Sequence, residues 1–374
     1  MVTGGTGFIG SFLGLKLLEN GYKVFFLARK KEKDPEVRIK EKLEKISSHS
    51  AKYEKNWEVL DGDITLSLFG ISEEKLKKLK NEKIVKVFHC AALLSFKPAN
   101  ETHTFKVNVE GTKHAIEVAE ILGAELHHLS TAYVAGDRTG EIKEDEFDKG
   151  QNFRNVYERT KFEGEKMVRE WIKENGRAVV YRPSIVVGDF KDGITFSFTG
   201  YYMVARFFFE MAKYFQKRRN FSNFPLPIPV VKESTLNLIP VDIIVDAILK
   251  ISENPKNLGS TFHIVHPHPP YNSFVFNTSV HFLGFPNVKI IQVSLLTLHL
   301  LVKTGWLFSW FFGKNGKLFR NLVLTYIPYF NGSMVFRAHN VFSGTGGKYS
   351  PPKLNEEFIR KILGYAMKAD FKDI

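Results

Sequence analysis

Cysteine is almost absent from this chain. Cys90 is the single cysteine among 374 residues, which excludes a disulfide scaffold and a zinc site built from cysteines. No secretory signal opens the sequence, and it contains no Walker-type phosphate-binding loop. Apolar residues make up 44% of the chain, enough for a full core. We therefore expect a folded cytoplasmic protein.

Acidic residues are missing from a long C-terminal stretch. No Asp or Glu lies between Glu253 and Glu356, whereas nine Lys or Arg do. Of the net charge of +13, residues 201–374 carry +11 and residues 1–200 carry +2. Such an excess predicts an anionic partner, which leaves a membrane surface, a phosphorylated substrate, an acidic carrier or nucleic acid. Because no nucleic-acid recognition module is visible, we expect no nucleic-acid partner.

Strand-like apolar runs alternate with helix-like segments as far as residue 190. The predicted strands are Val24–Leu27, Trp57–Leu60, Val85–His89, Leu126–Ser130 and Ala178–Tyr181. The predicted helices are Phe12–Asn20, Glu73–Lys80, Val107–Leu122 and Val156–Glu174. This alternation is typical of a parallel sheet covered by helices on both faces. We predict an α/β, Rossmann-like, doubly wound fold.

A glycine-rich turn opens the chain. Residues 3–10 read Thr-Gly-Gly-Thr-Gly-Phe-Ile-Gly and precede an apolar helix, an arrangement that binds a pyrophosphate at the helix N-terminus. The alternative is an ordinary turn. Only Met1 and Val2 precede it, whereas a central strand has about five residues. We therefore expect either a very short strand or a start that lies upstream.

Two basic residues follow the second predicted strand. Arg29 and Lys30 occupy the place where an acidic residue would hold the ribose hydroxyl of NAD. A basic residue suits the 2′-phosphate of NADP, so we predict NADP, with NAD less favoured. The alternative is a solvated basic loop, since Lys31, Lys33 and Arg38 come next.

A tyrosine and a lysine stand four residues apart on a predicted helix. Tyr157 and Lys161 share one helix face, where an ammonium group lowers the pKa of a tyrosine that acts as acid and base. Upstream, Ser130 and Thr131 close a predicted strand, at the edge where α/β sheets bind ligands. A Tyr/Lys pair alone is common on surface helices, but its order after the glycine turn and the hydroxyl-bearing strand end favours a redox site.

With these segments the sequence resembles the extended short-chain dehydrogenase/reductases. Within that superfamily it is most similar to the fatty acyl thioester reductases, namely the male-sterility-type fatty acyl-CoA reductases and the reductase domains of carboxylic acid reductases. The resemblance covers about half of the chain. It rests on Val2–Gly10, Phe88–Phe96, Asn108–Thr112, Ser130–Val134, Tyr157–Lys161 and Arg182–Gly188.

The resemblance implies catalytic roles. Tyr157 would protonate the carbonyl-derived oxygen as hydride arrives. Thr131 would hydrogen-bond that oxygen, with Ser130 as the alternative. Lys161 would hold the nicotinamide ribose and tune Tyr157, and Asn108 would support the proton relay or the local geometry. Asn108 could instead cap the helix that follows it, and the Thr131 hydroxyl could be an ordinary strand-end group.

The resemblance also implies cofactor contacts. They fall on Gly4, Gly5, Thr6, Gly7, Phe8, Ile9, Gly10, Arg29, Lys30, Asp63, Ile64, Ala91, Ala92, Tyr157, Lys161, Pro183, Ser184 and Ile185. Among these, Asp63 and Ile64 would meet the adenine, and Pro183 to Ile185 would flank the nicotinamide. The alternatives are that Asp63 caps a turn and that Ser184 pairs only with backbone.

The second half of the chain loses the clean alternation. We place a nucleotide-binding domain at residues 1–190 and a smaller substrate domain at 191–374, with a segment of about 236–265 returning to the first. Nine aromatic residues lie between Phe196 and Phe215, and they form either a core helix or the lining for an acyl chain.

Two further segments have open interpretations. Ile290–Phe312 carries one formal charge, Lys303, and fits interfacial attachment to a membrane, a buried helix or a membrane span. Lys213, Lys217, Arg218 and Arg219 form a basic cluster, which is either a solvated helix end or a contact for CoA phosphates or an acidic carrier.

Metal chemistry is poorly supported. His263, His266 and His268 are grouped, but no acidic residue lies near them in sequence, so we predict a loop and no metal site. Cys90 follows His89 and could form a thiol–imidazole pair, although a lone cysteine more commonly packs in the core.

These observations predict an NADPH-dependent reductase of long-chain acyl thioesters, giving an aldehyde or an alcohol at a membrane surface. Its partners would be an acyl-CoA or acyl-carrier protein and an anionic membrane, and a homodimer is left open. One alternative is a hydroxysteroid or isoprenoid alcohol dehydrogenase or a nucleotide-sugar epimerase of the same superfamily. Another is a non-catalytic scaffold that binds the cofactor.

Overall fold

Short apolar runs form the strands of the first half of the chain. A computed structural model describes residues 1–373 except 97, 217–226, 286–288, 295, 299, 301–324, 327 and 331–333. Within these residues the strands are β1 (Val2–Thr3), β2 (Val24–Ala28), β3 (Trp57–Asp61), β4 (Lys86–His89), β5 (Glu125–Leu129), β6 (Gly140–Ile142), β7 (Ala178–Pro183), β8 (Ile185–Val187), β9 (Pro227–Val231), β10 (Leu238–Pro240), β11 (Thr261–Ile264), β12 (Lys289–Val293) and β13 (Met334–Phe336).

The helices fill the segments between these strands. They are α1 (Phe8–Glu19), α2 (Pro35–Ile46), α3 (Glu73–Asn81), α4 (Glu101–Phe105), α5 (Gly111–Leu122), α6 (Val156–Asn175), α7 (Tyr201–Gln216), α8 (Val241–Ser252), α9 (Asn272–Phe282), α10 (His339–Gly344) and α11 (Glu356–Lys368). A π-helical turn, Lys106–Glu110, joins α4 to α5.

One parallel sheet combines six strands from the first half of the chain with β11 from the second half. In the described residues its order is β3-β2-β1-β4-β5-β7-β11, and every neighbouring pair runs parallel. Strand order reverses between β1 and β4, so a crevice opens there at the carboxyl ends of the strands. The predicted α/β, doubly wound fold is confirmed.

Burial on both faces explains the apolar strand sequences. All five residues of β2 and all six of β7 are buried, as expected for central parallel strands. The exception in composition is Arg182, which lies inside β7 and is 1% exposed. A buried arginine needs a buried partner, and that partner belongs to the candidate site.

Capping residues set the helix starts. Asp34 accepts a hydrogen bond from the Glu36 amide to begin α2, and Asn155 accepts one from the Glu158 amide to begin α6. Arg38, which the sequence groups with a basic loop, lies in α2. That helix is hard to predict because few of its residues are buried.

The chain divides into two compact units. The first comprises Met1–Ser184, Val241–Val265 and Phe336–Ser350, so the chain returns to it twice. The second comprises Ile185–Pro240, His266–Val335 and Pro351–Ile374. It contains α7, α9, α11 and the strand pairs β8–β10 and β9–β12.

Aromatic side chains make the core of the second unit. Tyr201, Tyr202 and Phe208 of α7 are buried, and Phe198 packs edge-on against Tyr202 with ring centroids 5.5 Å apart. Phe208 packs in the same way against Phe285 at 6.2 Å. For these buried rings the packing favours the core interpretation over an acyl-chain lining.

The apolar segment that begins at Ile290 starts as a strand. Residues 290–293 belong to β12, which pairs with β9, so a helix beginning at Ile290 is wrong for this part. The β-branched residues Ile290, Ile291 and Val293 favour the strand. Residues 301–312 lie outside the described residues, as do Lys217, Arg218 and Arg219. Among the helices the structure describes, none is long and apolar enough to cross a bilayer.

Candidate active site

The glycine turn connects β1 to α1 at the sheet's crevice. Gly4 has φ +70°, and a Cβ there would lie 2.8 Å from the Ala91 nitrogen. A Cβ at Gly10 would overlap the Gly4 carbonyl oxygen. Both positions therefore require glycine, because only a bare backbone fits.

The N-terminus of α1 is open to an anion. Gly7 is its N-cap, no side chain of the described residues caps it, and the first turn carries no acidic residue. Thr6, Phe8 and Ile9 are partly exposed around the turn, whereas Gly5 is buried. The helix dipole and the absence of acidic residues in the first turn favour a pyrophosphate here, so the turn fits the dinucleotide that the sequence predicts.

A cavity of about 490 Å³ lies at the ends of β2 and β3. Its lining residues are Arg29, Lys30, Lys31, Asp61, Gly62, Asp63, Leu66, Phe69 and Gly70. Three residues predicted to contact the cofactor, Arg29, Lys30 and Asp63, thus meet in one concave place. Ile64 follows Asp63; its side chain is buried and its carbonyl oxygen pairs with His114 Nδ1 at 2.8 Å.

The ion pairs in this cavity are long and exposed. Arg29 Nη1 lies 3.4 Å from Asp63 Oδ2, and Lys30 Nζ lies 3.5 Å from Asp61 Oδ2. The side chains of Arg29 and Lys30 are 50% and 77% exposed. Exposed pairs are weak, so both cations can be shared with a bound phosphate.

Asp63 is fixed by its own turn. Its Oδ1 accepts hydrogen bonds from the amide and the hydroxyl of Thr65, each at 2.9 Å. Burial by itself would raise the pKa of Asp63, but the Thr65 bonds and the Arg29 guanidinium outweigh it and hold the pKa below its usual value. Asp63 therefore caps the turn, as the alternative interpretation has it, while its adenine contact stays a prediction.

Thr131, Tyr157 and Lys161 meet at the carboxyl end of β5. Tyr157 and Lys161 lie one turn apart on α6, and Lys161 Nζ donates to the Leu129 carbonyl oxygen at 2.6 Å. The buried Thr131 hydroxyl donates to the Pro183 carbonyl oxygen at 3.5 Å, and its interaction with Tyr157 opposes the rise of the Tyr157 pKa. The structure thus brings together the three residues to which the sequence assigns the chemistry.

Burial changes the acid–base properties of this group. Desolvation raises the pKa of Tyr157 to about 12, against the opposing Thr131 hydrogen bond. Burial lowers the pKa of Lys161 to about 8, and the nearby Glu165 carboxylate counteracts it. Near neutral pH, Tyr157 therefore carries its proton and most Lys161 is charged, as a proton-donating site requires.

Asn108 holds the loop that follows β4. It lies inside the π-helical turn, accepts from the Leu93 amide at 2.7 Å and donates to the Leu93 carbonyl at 3.0 Å. It also donates to the Thr160 hydroxyl on α6 at 3.0 Å. Its side chain bonds this loop rather than the start of α5, so it does not act as the helix cap of the alternative interpretation.

The remaining predicted contacts lie around this loop and after β7. Ala91 donates from its amide to the Thr3 hydroxyl at 3.2 Å, and Ala92 is exposed beside it. Pro183 ends β7, and the Ser184 amide donates to Ile264 at 3.3 Å. Ile185 begins the second unit.

Sequence reasoning did not identify Glu165 and Phe96 as neighbours of the site. The Ser130 hydroxyl donates to Glu165 Oε2 at 2.6 Å, so this alternative to Thr131 already has a buried partner. The Phe96 ring packs against the Tyr157 ring with centroids 6.2 Å apart. The available signals were the four-residue spacing from Lys161 to Glu165 and the aromatic residue closing the segment after β4.

The thiol–imidazole pair that the sequence left open has competing partners. His89 Nδ1 pairs with the Thr3 hydroxyl at 2.9 Å and Nε2 with the Thr112 hydroxyl at 3.4 Å. Burial lowers the pKa of His89 to about 3 and raises the pKa of Cys90 to about 12. Cys90 is thus a protonated thiol and not an activated nucleophile.

The grouped histidines make other bonds. His263 Nδ1 pairs with the Arg337 carbonyl at 2.8 Å, and His266 Nε2 pairs with the Pro352 carbonyl at 3.0 Å. In the part of the chain that the structure describes, no three or more His, Cys, Asp or Glu residues are grouped to hold a metal ion.

A doubly wound sheet with this turn and these three side chains defines a class, the NAD(P)-dependent oxidoreductases of the extended short-chain dehydrogenase/reductase type. The chain belongs to the male sterility protein family, whose model matches residues 2–248. The predicted superfamily, family resemblance and enzyme class are confirmed.

Curated relatives are longer than this chain. The nonribosomal peptide synthetase asaC of Aspergillus flavus is 28% identical over 309 residues, which are 75% of this chain and 27% of that protein. The fatty acyl-CoA reductase wat of Drosophila melanogaster is 28% identical over 229 residues, 52% of this chain and 44% of that protein. The chain thus spans less than half the length of these relatives.

Solved structures share the fold. The terminal R domain from the myxalamid PKS-NRPS biosynthetic pathway has a TM-score of 0.82 at 24% identity, covering 99% of this chain and 90% of that one. UDP-glucuronic acid 4-epimerase from Bacillus cereus in complex with NAD has a TM-score of 0.65 at 17% identity, covering 98% and 96%. At these identities the likeness concerns the fold alone.

Proposed function

We propose that the protein is an NADPH-dependent reductase of long-chain acyl thioesters. The observation that carries the proposal is the cluster of Thr131, Tyr157 and Lys161 at the end of β5, within a chain of the male sterility protein family. The relatives support the substrate class, since they include fatty acyl-CoA reductases and nonribosomal peptide synthetases.

The cavity at Arg29 supports NADPH over NADH. Arg29 and Lys30 bring two exposed cations to the end of β2, where the ribose 2′-position of a dinucleotide lies in this fold. A guanidinium binds a phosphate with two parallel hydrogen bonds. The nearby Asp61 and Asp63 limit the excess of positive charge in the cavity, but both cations remain half or more exposed.

The chain's own residues supply the proton chemistry. When bound, NADPH supplies a hydride to the thioester carbonyl carbon. Tyr157 protonates the oxygen, and Thr131 donates a hydrogen bond to it. Lys161 favours the charge that Tyr157 develops as it gives up its proton. Overall, thioester, NADPH and one proton give aldehyde, thiol and NADP⁺; a second NADPH and proton would give the alcohol.

An apolar wall beside Tyr157 supports a fatty substrate. The half-buried Phe96 ring lies against Tyr157, and Leu94 in the same loop is 42% exposed. The loop is anchored at Leu93 by Asn108 and at Ser95 by Asn100, whose amide donates to the Ser95 hydroxyl at 3.1 Å. A fixed aromatic ring at the reacting carbonyl suits an acyl chain better than a sugar.

The acid-free C-terminal stretch supports an anionic partner. We propose a cytoplasmic protein that attaches peripherally to an anionic membrane surface and receives its substrate as acyl-CoA or on an acyl-carrier protein. Excess positive charge attracts both kinds of partner through long-range electrostatics.

The test is NADPH oxidation with a panel of acyl-CoA and acyl-carrier thioesters of increasing chain length. We expect NADPH consumption at 340 nm with long chains, matched by released thiol and by aldehyde or alcohol in product analysis. Turnover of a hydroxysteroid, an isoprenoid alcohol or a nucleotide sugar, without turnover of any thioester, would contradict the proposal. Absence of turnover with all of these would support a non-catalytic scaffold.

A further inference from the structure

A buried carboxylate lies directly beneath the catalytic group. Glu165 on α6 is 0% exposed and accepts hydrogen bonds from three side chains. Arg182 Nη2 lies 2.7 Å from Oε1, Arg169 Nε lies 2.7 Å from the same oxygen, and Ser130 Oγ lies 2.6 Å from Oε2. Both carboxylate oxygens are therefore occupied, so the side chain has one fixed orientation.

These bonds close a circuit around Thr131. Ser130 precedes Thr131 on the chain, and Arg182 precedes Pro183. Thr131 donates to the Pro183 carbonyl at 3.5 Å, which completes the path through Glu165 and back. Two sets of side-chain bonds therefore connect the ends of β5 and β7. One runs through the Glu165 carboxylate, and the other is the bond from the Thr131 hydroxyl to Pro183.

Three residues on one face of α6 lie against the end of β5. Tyr157, Lys161 and Glu165 are spaced four residues apart, so they lie on one face of α6. Lys161 and Glu165 bond to Leu129 and Ser130, at and just after the end of β5, and Tyr157 lies beside the next residue, Thr131. The bond between Glu165 and Ser130 thus sets the position of α6 along β5, and with it the position of Tyr157 relative to Thr131.

The same carboxylate influences the charge balance of the site. Lys161 faces His89, His128 and Cys90 from neighbouring strands, and burial keeps all three uncharged. Of the glutamates on α6, Glu165 is the one whose charge counteracts the burial that lowers the pKa of Lys161.

Cations and one further acidic group surround Glu165 itself. Arg169 and Arg182 lie over the Phe147 ring at 4.7 and 5.7 Å, His263 Nε2 is 3.4 Å from Arg182 Nη1, and Asp145 acts on Arg169. Burial by itself would raise the pKa of Glu165, but the arginines outweigh it and lower the pKa to about 2. Glu165 is ionised throughout the working pH range.

We propose that Glu165 is a positioning residue for the reductase. It holds the end of β5 so that the Thr131 hydroxyl meets Tyr157, and it supplies the negative charge that Lys161 faces from its own helix. The role in turnover rests on the proposed function, whereas the charge on Lys161 also acts in NADPH binding.

The test compares Glu165→Gln, which removes the charge, with Glu165→Asp, which keeps it on a shorter side chain. We expect Glu165→Gln to lower kcat at least about tenfold and to move the alkaline fall of kcat/KM to lower pH by roughly half a unit or more. Glu165→Asp should lower kcat and leave the position of that fall unchanged. Glu170→Gln, exposed on the same helix, is the matched control and should match the unmodified protein.

Two further measurements keep the test decisive. Ser130→Ala removes one bond without uncovering a charge, so it applies if Glu165→Gln does not fold; we expect a several-fold lower kcat with an unchanged KM for NADPH. The Kd of NADPH, measured by fluorescence over a range of pH, reports the charge on Lys161 and needs no acyl substrate. In Glu165→Gln the affinity for NADPH should begin to fall at a lower pH than in the unmodified protein. If no thioester in the panel is reduced, the proposed function is overturned, but the predicted effect of Glu165 on the pH dependence of NADPH binding can still be tested.

Three results would overturn the positioning role. One is a Glu165→Gln protein with unchanged kcat and an unchanged pH dependence of both kcat/KM and NADPH binding. Another is a Glu165→Asp protein whose pH dependence moves as far as that of Glu165→Gln. Where Glu165→Gln does not fold, an unchanged kcat in Ser130→Ala would be the third.

Discussion

The two ends of the candidate cofactor site are built in opposite ways. At the catalytic end, Thr131, Lys161, Glu165 and Arg182 are at most 4% exposed, and the Lys161, Glu165 and Arg182 side chains make polar contacts of 2.6–2.7 Å. At the adenosine end, the cations are half or more exposed, and their acidic partners lie 3.4 and 3.5 Å away. Buried, fully paired groups are costly to alter, whereas exposed pairs contribute only about 0.2–1 kcal/mol.

On the proposed function, this contrast assigns the chemistry to the buried end and the choice of cofactor to the exposed end. We expect changes at the buried end to remove turnover. Changes at the exposed end should alter which dinucleotide is used and leave the fold intact.

Tyr157→Phe should remove nearly all turnover. Loss of the proton donor lowers kcat by roughly 10²–10⁴-fold, while the Kd of NADPH stays within about twofold because the ring remains. Steady-state kinetics and fluorescence titration measure the two effects. Tyr22→Phe, which removes a hydroxyl bonded only at the surface to Glu253, is the control. Near-normal kcat in Tyr157→Phe would remove this residue from the mechanism.

Gly10→Ala should abolish tight cofactor binding. Its Cβ would overlap the Gly4 carbonyl oxygen, so α1 must move away from the turn, and we expect the NADPH affinity to fall at least about tenfold with a lower Tm. Gly364→Ala is the matched control, because its Cβ would have its nearest contact 3.8 Å away, at Phe282. That change on α11 should be neutral or stabilise by up to about 1 kcal/mol. Unchanged NADPH binding in Gly10→Ala would contradict the close approach described here.

The reduction rate should fall as pH rises through the pKa of Lys161, about 8. Tyr157 keeps its proton over this range because its pKa is about 12, so the fall reports loss of the Lys161 ammonium. We expect kcat/KM to drop about tenfold per pH unit above this value. Lys161→Met should lose most activity and should no longer show this alkaline fall of kcat/KM. Lys166→Met, at an exposed position on the same helix, should keep both the activity and the alkaline fall. A profile that stays flat to about pH 10 would exclude Lys161 as the titrating group.

Arg29→Ala should change cofactor preference more than rate. We expect kcat/KM for NADPH to fall about tenfold while that for NADH changes little, because only NADPH carries the 2′-phosphate. Added salt should reduce the difference, since the site is exposed. Lys77→Ala, on the exposed face of α3, is the control. Equal losses with both cofactors would assign Arg29 a general role instead.

Sequence patterns predicted the sheet because its strands are buried on both faces. Runs such as residues 24–27 and 178–181 are continuously apolar and bounded by polar turns, so their strands could be recognised without knowing the partners. The Tyr157/Lys161 pair was recognisable for a similar reason, since four-residue spacing on a helix is a local property. The fold class, superfamily, family resemblance and enzyme class are confirmed.

Contacts between distant segments could not be predicted in the same way. Glu165 and Arg182 look like ordinary surface charges in the sequence, and only the packing of α6 on β5 and β7 makes them a buried pair. Helix α2 was missed because its three buried residues are too few for a clear periodic signal. Strand β12 was hidden inside a longer apolar run, where length alone favoured a helix.

The π-helical turn at Lys106–Glu110 has a consequence for how the sequence can change. Such a turn contains one residue more than an α-helical turn, so deleting a single residue there would let the segment close into regular α-helix. Because the wider turn absorbs its extra residue, α4 and α5 would keep their orientation, whereas the side chains inside the turn would change direction and Asn108 would no longer face Leu93. A one-residue deletion would therefore disturb the site through Asn108 and not through the flanking helices, so the length of the turn and the residue at position 108 are constrained together.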